Sequence, residues 1–177
     1  MTKGVHVPWK DRDFDGLSAL VAERGSALLG TAVLLTGSRA AGEDLVQAAL
    51  ERLMRSWGRV RDDREGYLRR TMYHLAIDDW RRRRSRPEVL AEVEPPARPD
   101  TSDVVALRQV LITALAKLPP RQRAVLVLRY WEQHTEAEAA RVLGCSVGSV
   151  KSNASRGLAR LREITADWDL FVNGAAR

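Results

Sequence analysis

Cysteine occurs once in this chain of 177 residues, at Cys145, which rules out an internal disulfide and any cysteine-based zinc site. A lone thiol suits a reducing cytoplasm, and Cys145 reads as a small buried turn residue. Lysine stands only at Lys3, Lys10, Lys117 and Lys151, so nearly all the positive charge is arginine. A GC-rich genome gives that bias, and so does a need for the guanidinium fork that fits phosphate and guanine. No uninterrupted apolar run reaches the length of about 18 residues that a membrane span needs, and the opening MTKGVHVPWKDRDFDG has no apolar segment of signal-peptide type. The expectation is a soluble cytoplasmic chain without membrane insertion. The histidines His6, His74 and His134 are scattered and no glycine-rich phosphate loop is present, so the sequence indicates no enzyme, metal or cofactor. Strand patterning and internal repeats are lacking too, which predicts an all-α fold.

What is present is ordinary apolar content, 45%, together with a net charge of +6. The pI near 10.1 favours a polyanionic partner, nucleic acid first and anionic membrane second. Helical spacing of Leu17, Leu20, Val21, Leu28, Ala32 and Leu35 predicts a first helix that stops at Thr36-Gly37-Ser38. Ser38 can cap a second helix, with Leu45, Ala49, Leu53 and Trp57 as its apolar stripe. A charged connection, GRVRDDREG, leads to a third helix from near Glu65 into the run Arg81 to Arg84.

Texture changes after Arg86. Pro87, Pro95, Pro96 and Pro99 break any helix, and Glu88, Glu92, Glu94, Asp100 and Asp103 face Arg98 alone. This is an acidic linker, extended or disordered by composition. The implied organisation is a tail over residues 1–13, a helical module over 14–86, a linker over 87–102, a second helical module over 103–164 and a tail over 165–177. In the second module a helix runs from Ser102 to about Lys117, and another runs from Arg121 to Tyr130 with Pro120 at its start. A turn at Glu132-Gln133-His134 follows. Thr135, with Glu138 three residues on, then begins a short helix that closes at Gly144, and a final long helix starts from Ser146.

The small Ala140, the turn glycine Gly144 and the branched Val150 have the spacing of a DNA-binding helix-turn-helix. On the second of its helices, Val147, Val150, Ala154, Leu158 and Leu161 share one face. Ser149, Ser152, Asn153, Arg156 and Arg160 share the opposite one, with Lys151, Ser155 and Arg162 on the flank. No acid occurs from Arg141 to Arg162. Short hydrogen-bonding side chains and arginines can approach base edges and phosphates, yet a solvated basic helix has the same pattern, and both readings stand. In the first module, YLRRTMYHLAIDDWRRRRSR interleaves Tyr67, Tyr73, His74 and Trp80 with arginines, as surfaces for single strands do. Core packing is the alternative for Tyr67 and Trp80.

These segments resemble the extracytoplasmic-function sigma factors, small two-domain members of the sigma-seventy superfamily of bacterial RNA polymerase initiation factors. LLTGSRAAGEDLVQAALERLMRSW is similar to the polymerase-binding part of region two, and YLRRTMYHLAIDDWRRRRSR to its promoter-melting part. LAKLPPRQRAVLVLRYWEQHTEAEAARVLGCSVGSVKSNASRGLARLR is similar to region four, in a form close to a SigE-like group common in actinobacteria. The resemblance implies an alternative sigma factor that directs promoter-specific initiation. Asp44, Leu45, Val46, Gln47, Leu50 and Glu51 would bind the coiled coil of the polymerase β′ subunit, and region four would meet the β flap. Arg64, Tyr67, Arg70, His74, Trp80 and Arg81 would meet the −10 element, His74 standing where the family often carries asparagine. Lys151, Ser152, Ser155 and Arg156 would read the −35 element, with Arg141, Ser149, Asn153 and Arg160 nearer phosphates or edges. The implied partners are core RNA polymerase and promoter DNA, with an anti-sigma factor as a further candidate. The linker would pass near the polymerase active-site cleft or serve only as a tether.

Overall fold

The computed structural model describes residues 11–84 and 103–174. Among these residues are seven α-helices, one π-helical turn and no strand, so the fold is all-α as expected. Helices α1 (Asp11–Thr36) and α2 (Arg39–Ser56) form a hairpin. At its bend Gly37 has φ +92, a left-handed conformation open to a residue without Cβ, and its amide donates to the Val33 carbonyl at 2.8 Å. Ser38 then caps α2, its hydroxyl accepting from the Ala41 amide at 3.3 Å. Helix α3 (Arg64–Arg84) returns across the pair. Asp63 opens it by accepting from the Gly66 amide at 2.7 Å, a cap that sets the start one residue ahead of the expected Glu65.

Leu28, Ala32 and Leu35 of α1 meet Leu45, Ala49 and Leu53 of α2 and Leu68, Met72 and Leu75 of α3, with Trp57 closing one end. By length and composition alone α1 is apolar enough to cross a membrane. In the fold, its Ala32, Val33, Leu34 and Leu35 are core residues.

In the second module α4 (Asp103–Ala116) is followed by α5 (Pro120–Leu126), where Pro120 occupies the first turn and needs no amide partner. The helix predicted from Arg121 to Tyr130 is not regular. After Leu126 it widens into a π-helical turn, Val127–Trp131, that ends with the Glu132 amide on the Val127 carbonyl at 3.0 Å. Period counting does not see this extra residue. Beyond the widened turn Tyr130 and Trp131 are exposed, while Glu132 lies against α1.

Gln133, at φ 55, completes the bend into α6 (Glu136–Leu143). Thr135 and Glu138 form the expected capping box: the Glu138 amide donates to the Thr135 hydroxyl at 3.2 Å, and the Thr135 amide donates to the Glu138 carboxylate at 2.7 Å. Gly144 turns the chain at φ 61 into α7 (Val147–Gly174). Helix α7 continues well past residue 165, where a tail was expected. The side chains of Trp168, Leu170 and Phe171, the first ten residues and the acidic linker over 87–102 lie outside the described residues.

The two modules are not separate bodies. Ile112, Leu115, Leu118, Val125 and Leu128 join the residues of α1 to α3 in one continuous apolar cluster. That seam leaves no periodic signature, because each helix keeps its own stripe while a second side of α1 and α3 is also covered.

The Glu138 carboxyl is held below the usual carboxylate range, first by the Thr135 hydroxyl and then by the Thr135 amide. A lowered folded-state value means that the cap contributes fully at neutral pH and is lost as pH falls through that value. Thr135→Ala is expected to lower stability by about 1 kcal/mol in urea unfolding at pH 7 and to flatten the loss of stability in acid.

Candidate nucleic-acid interface

The helix-turn-helix is built from three local devices. The Thr135 box fixes the start of α6, Gly144 permits the sharp turn with the Cys145 amide on the Ala140 carbonyl at 3.0 Å, and Ser146 caps α7 by accepting from the Ser149 amide at 3.1 Å. Val150 is fully buried between the helices and Ala140 lies at the crossing. Cys145 is half-buried in the turn, as expected.

The structure shifts the predicted faces of α7. Val147, placed on the packing face by periodicity, is 39% exposed, while Gly157 is buried beneath Leu126. Ser149 and Asn153, placed on the outward face, are half-buried because α3 of the first module packs beside them. Asn153 donates to the Ser149 carbonyl at 2.8 Å. The outward surface is therefore Lys151, Ser152, Ser155, Arg156 and Arg160, joined by the exposed Arg141 of α6. Lys151 lies 3.6 Å from Glu136, and Arg156 rests along its own helix with Nε on the Ser152 carbonyl at 3.2 Å. Both are exposed contacts of little energetic weight, so these cations can be redirected to phosphates at small cost.

The second candidate surface is the loop between α2 and α3 with the face of α3 that follows it. Arg64 stacks on the Trp57 ring at 3.9 Å and its Nε donates to the Val60 carbonyl at 3.1 Å. Tyr67 shares a 3.2 Å hydrogen bond with Ser56. Both side chains are half-buried and shape the loop. Arg70 and His74, one turn apart, are exposed beyond it. Further along, Trp80 is half-buried and Arg81 exposed. Tyr73, which the sequence placed among the interleaved aromatics, is instead fully buried, and burial is the main cause that raises its phenol well above the usual tyrosine value.

The structure also brings the two surfaces together. His74 Nε2 donates to the Val142 carbonyl of α6 at 3.1 Å. A cleft of about 190 Å³ is lined by His74, Ile77 and Asp78 on one side and by Leu143, Ser149 and Asn153 on the other. On α2, Asp44, Gln47 and Glu51 are exposed and Val46 and Leu50 half-buried. Leu45 is a correction: at 8% exposure it faces the core and offers no docking surface.

Sequence reasoning missed Arg123, whose guanidinium is buried between the modules. A charged residue beside the run AVLVL was the available signal. Also missed was Glu132, which its surroundings in the sequence marked only as a turn residue.

Sigma-70 region 2 matches residues 20–86 and Sigma-70, region 4 matches residues 108–161. The chain belongs to the sigma-70 family. It is 42% identical over 161 residues to the RNA polymerase sigma-E factor of Streptomyces antibioticus, an overlap of 89% of both chains. It is 38% identical over 159 residues to the sigma-E factor of Streptomyces coelicolor, covering 89% of this chain and 90% of that one. Its fold matches the solved sigma factor RpoE of Bartonella quintana, captured with the anti-sigma factor NepR, at TM-score 0.62 and 24% identity over 85% of this chain and 97% of that one. The resemblance to extracytoplasmic-function sigma factors of the SigE-like group is thereby borne out. As an alternative sigma factor the chain directs promoter-specific transcription initiation.

Leu45→Ala is expected to lower stability by about 2–5 kcal/mol in chemical unfolding, as large-to-small core changes do, whereas Asp44→Ala leaves stability nearly unchanged.

Proposed function

We propose that this sigma factor docks on core RNA polymerase through the exposed side of α2 and reads the −35 element with α7. Asp44, Gln47 and Glu51, flanked by Val46 and Leu50, form an acidic and apolar strip suited to the β′ coiled coil, and the second module meets the β flap. The observation that carries the −35 assignment is the outward face of α7, where Lys151, Ser152, Ser155, Arg156 and Arg160 lie together without an acid among them. Serines admit the helix deep into a major groove, and the arginines supply base-edge forks and phosphate contacts.

Arg70 and His74 are the groups of α3 placed to meet the −10 element. The Arg64–Trp57 stack and the Tyr67–Ser56 bond hold the preceding loop as a preformed pocket for an unstacked base. Trp80 and Arg81 extend the same helix towards the phosphates. Strand opening is then favoured by capture of flipped bases, whose extrusion costs a few kcal/mol, and not by covalent chemistry. The protein works as a binding factor in the cytoplasm, where polymerase is. The solved relatives RpoE and CnrH are held by the anti-sigma factor NepR and by the cytosolic domain of CnrY. A protein inhibitor of that kind is proposed here as well.

In run-off transcription with core polymerase on genomic promoter fragments, the unaltered chain is expected to direct initiation. Arg156→Ala is expected to weaken binding to its promoters by about 1–3 kcal/mol. If Arg156 reads a base, discrimination between promoters falls; if it holds a phosphate, the loss is uniform and the salt slope drops by about 1. A chain that neither binds core nor initiates on any fragment contradicts the proposal.

A further inference from the structure

The seam between the modules carries three polar ties in addition to its apolar cluster. Arg123, 6% exposed, reaches from α5 to the Leu35 carbonyl at the end of α1, 2.7 Å away. The same guanidinium takes the carbonyls of Ala116 and, at 3.2 Å, Leu118, at the end of α4. A buried cation thus lies against two helix C-termini, one from each module. His74 on Val142 is the second tie.

The third centres on Glu132, whose side chain is 8% exposed. One carboxylate oxygen accepts from the Thr31 hydroxyl of α1 at 2.9 Å, and the other lies 3.3 Å from Arg69 Nε of α3. Arg69 is in turn paired with Glu65 at 3.0 Å. Both partners of this carboxylate come from the other module. A carboxylate this buried persists only where it is paired, and separating the modules would return it to water.

Closure also hides what the function needs. His74, Ser149 and Asn153 line one cleft, so the −10 and −35 surfaces face each other. The two promoter elements, named for their positions, are about 25 base pairs apart, or roughly 85 Å along the duplex axis. A compact body of this chain length has a radius of gyration of about 16 Å and so spans about 40 Å. It cannot touch both elements at once.

We propose that the closed arrangement is a self-held off state, latched by Glu132 on Thr31 and Arg69, and that core polymerase opens it by binding the separated modules more tightly. The proposal rests on the reading of α3 and α7 as promoter surfaces. It makes the chain a poor DNA binder by itself, because apparent affinity is scaled by the fraction of open molecules.

The test uses the full chain, free in solution, with two variants, Glu132→Ala and Thr31→Val. The second deletes one hydroxyl at nearly constant shape and serves if the first fails to keep its helicity. Radius of gyration is read by small-angle X-ray scattering, and affinity by anisotropy of a fluorescent mixed-sequence DNA duplex at low salt. The unaltered chain should be compact. The variants should be larger and should bind the duplex about tenfold more tightly, because the open fraction rises. An unaltered chain that already scatters as two separated modules would overturn the latch, as would folded variants of unchanged size and affinity. The scattering result does not depend on any promoter. Failure to initiate transcription would therefore remove the functional reading while leaving a latch seen in size.

Discussion

The guanidinium of Arg123 holds the ends of α1 and α4 in one place, and the path of the chain on both sides follows from it. Helix C-termini leave carbonyls without amide partners, and here Leu35, Ala116 and Leu118 would be buried with none. Arginine is the side chain able to serve three of them, since its donors are fixed in a plane and its charge cannot be lost. Gly37 makes the approach sterically open: a Cβ there would lie 2.9 Å from that of Ala116. With both helix ends fixed, α5 leaves at an angle that puts the π-helical turn against α1 and Glu132 against Thr31. The closed seam is thus a chain of consequences from one buried cation.

Helix α7 shows how one element serves two demands. Val150 and Gly157 are buried beneath α5 and α6, and Ala154, Leu158 and Leu161 pack at the margin of the same core. The other side carries serines where a purely solvated helix would use long charged residues. Serine is a modest helix former, so its repeated use at Ser149, Ser152 and Ser155 is a small local penalty tolerated on the surface that must approach a groove. The Ser146 cap and the Thr135 box offset part of it at the two helix starts.

Local chemistry was the legible part of the sequence. Ser38, Pro120, Thr135 with Glu138, and Gly144 each carry their structural role in a residue type at a fixed offset, and the structure places each as expected. The apolar stripe of α2 was equally plain, although the same stripe shows why Leu45 could not also be a docking residue. The rest depended on partners distant in the chain. Val147 lost its place on the packing face, and Ser149 its exposure, to the approach of α3. The extra residue of the π turn shifted everything from Val127 to Trp131. Neither effect has a period, and Arg123 and Glu132 acquire meaning only when α1 lies beside them.

The polar ties and the apolar seam divide the work of closure. Leu35, Leu118 and Val125 are large enough that each contributes about 1.5–3 kcal/mol on burial, so the apolar seam supplies most of the strength. A buried ion pair adds little net stability, because desolvation offsets most of its attraction. What Glu132 and Arg69 add is selectivity: only one docking angle satisfies both, and any slip along the apolar seam strands a charge. Moving such a body from 1% to 99% open takes a differential affinity of about 5.5 kcal/mol. DNA phosphates alone meet the closed and open forms with much the same exposed arginines and so cannot supply it. A partner that engages both modules only when they are apart can, and that assigns the opening step to polymerase in place of the promoter.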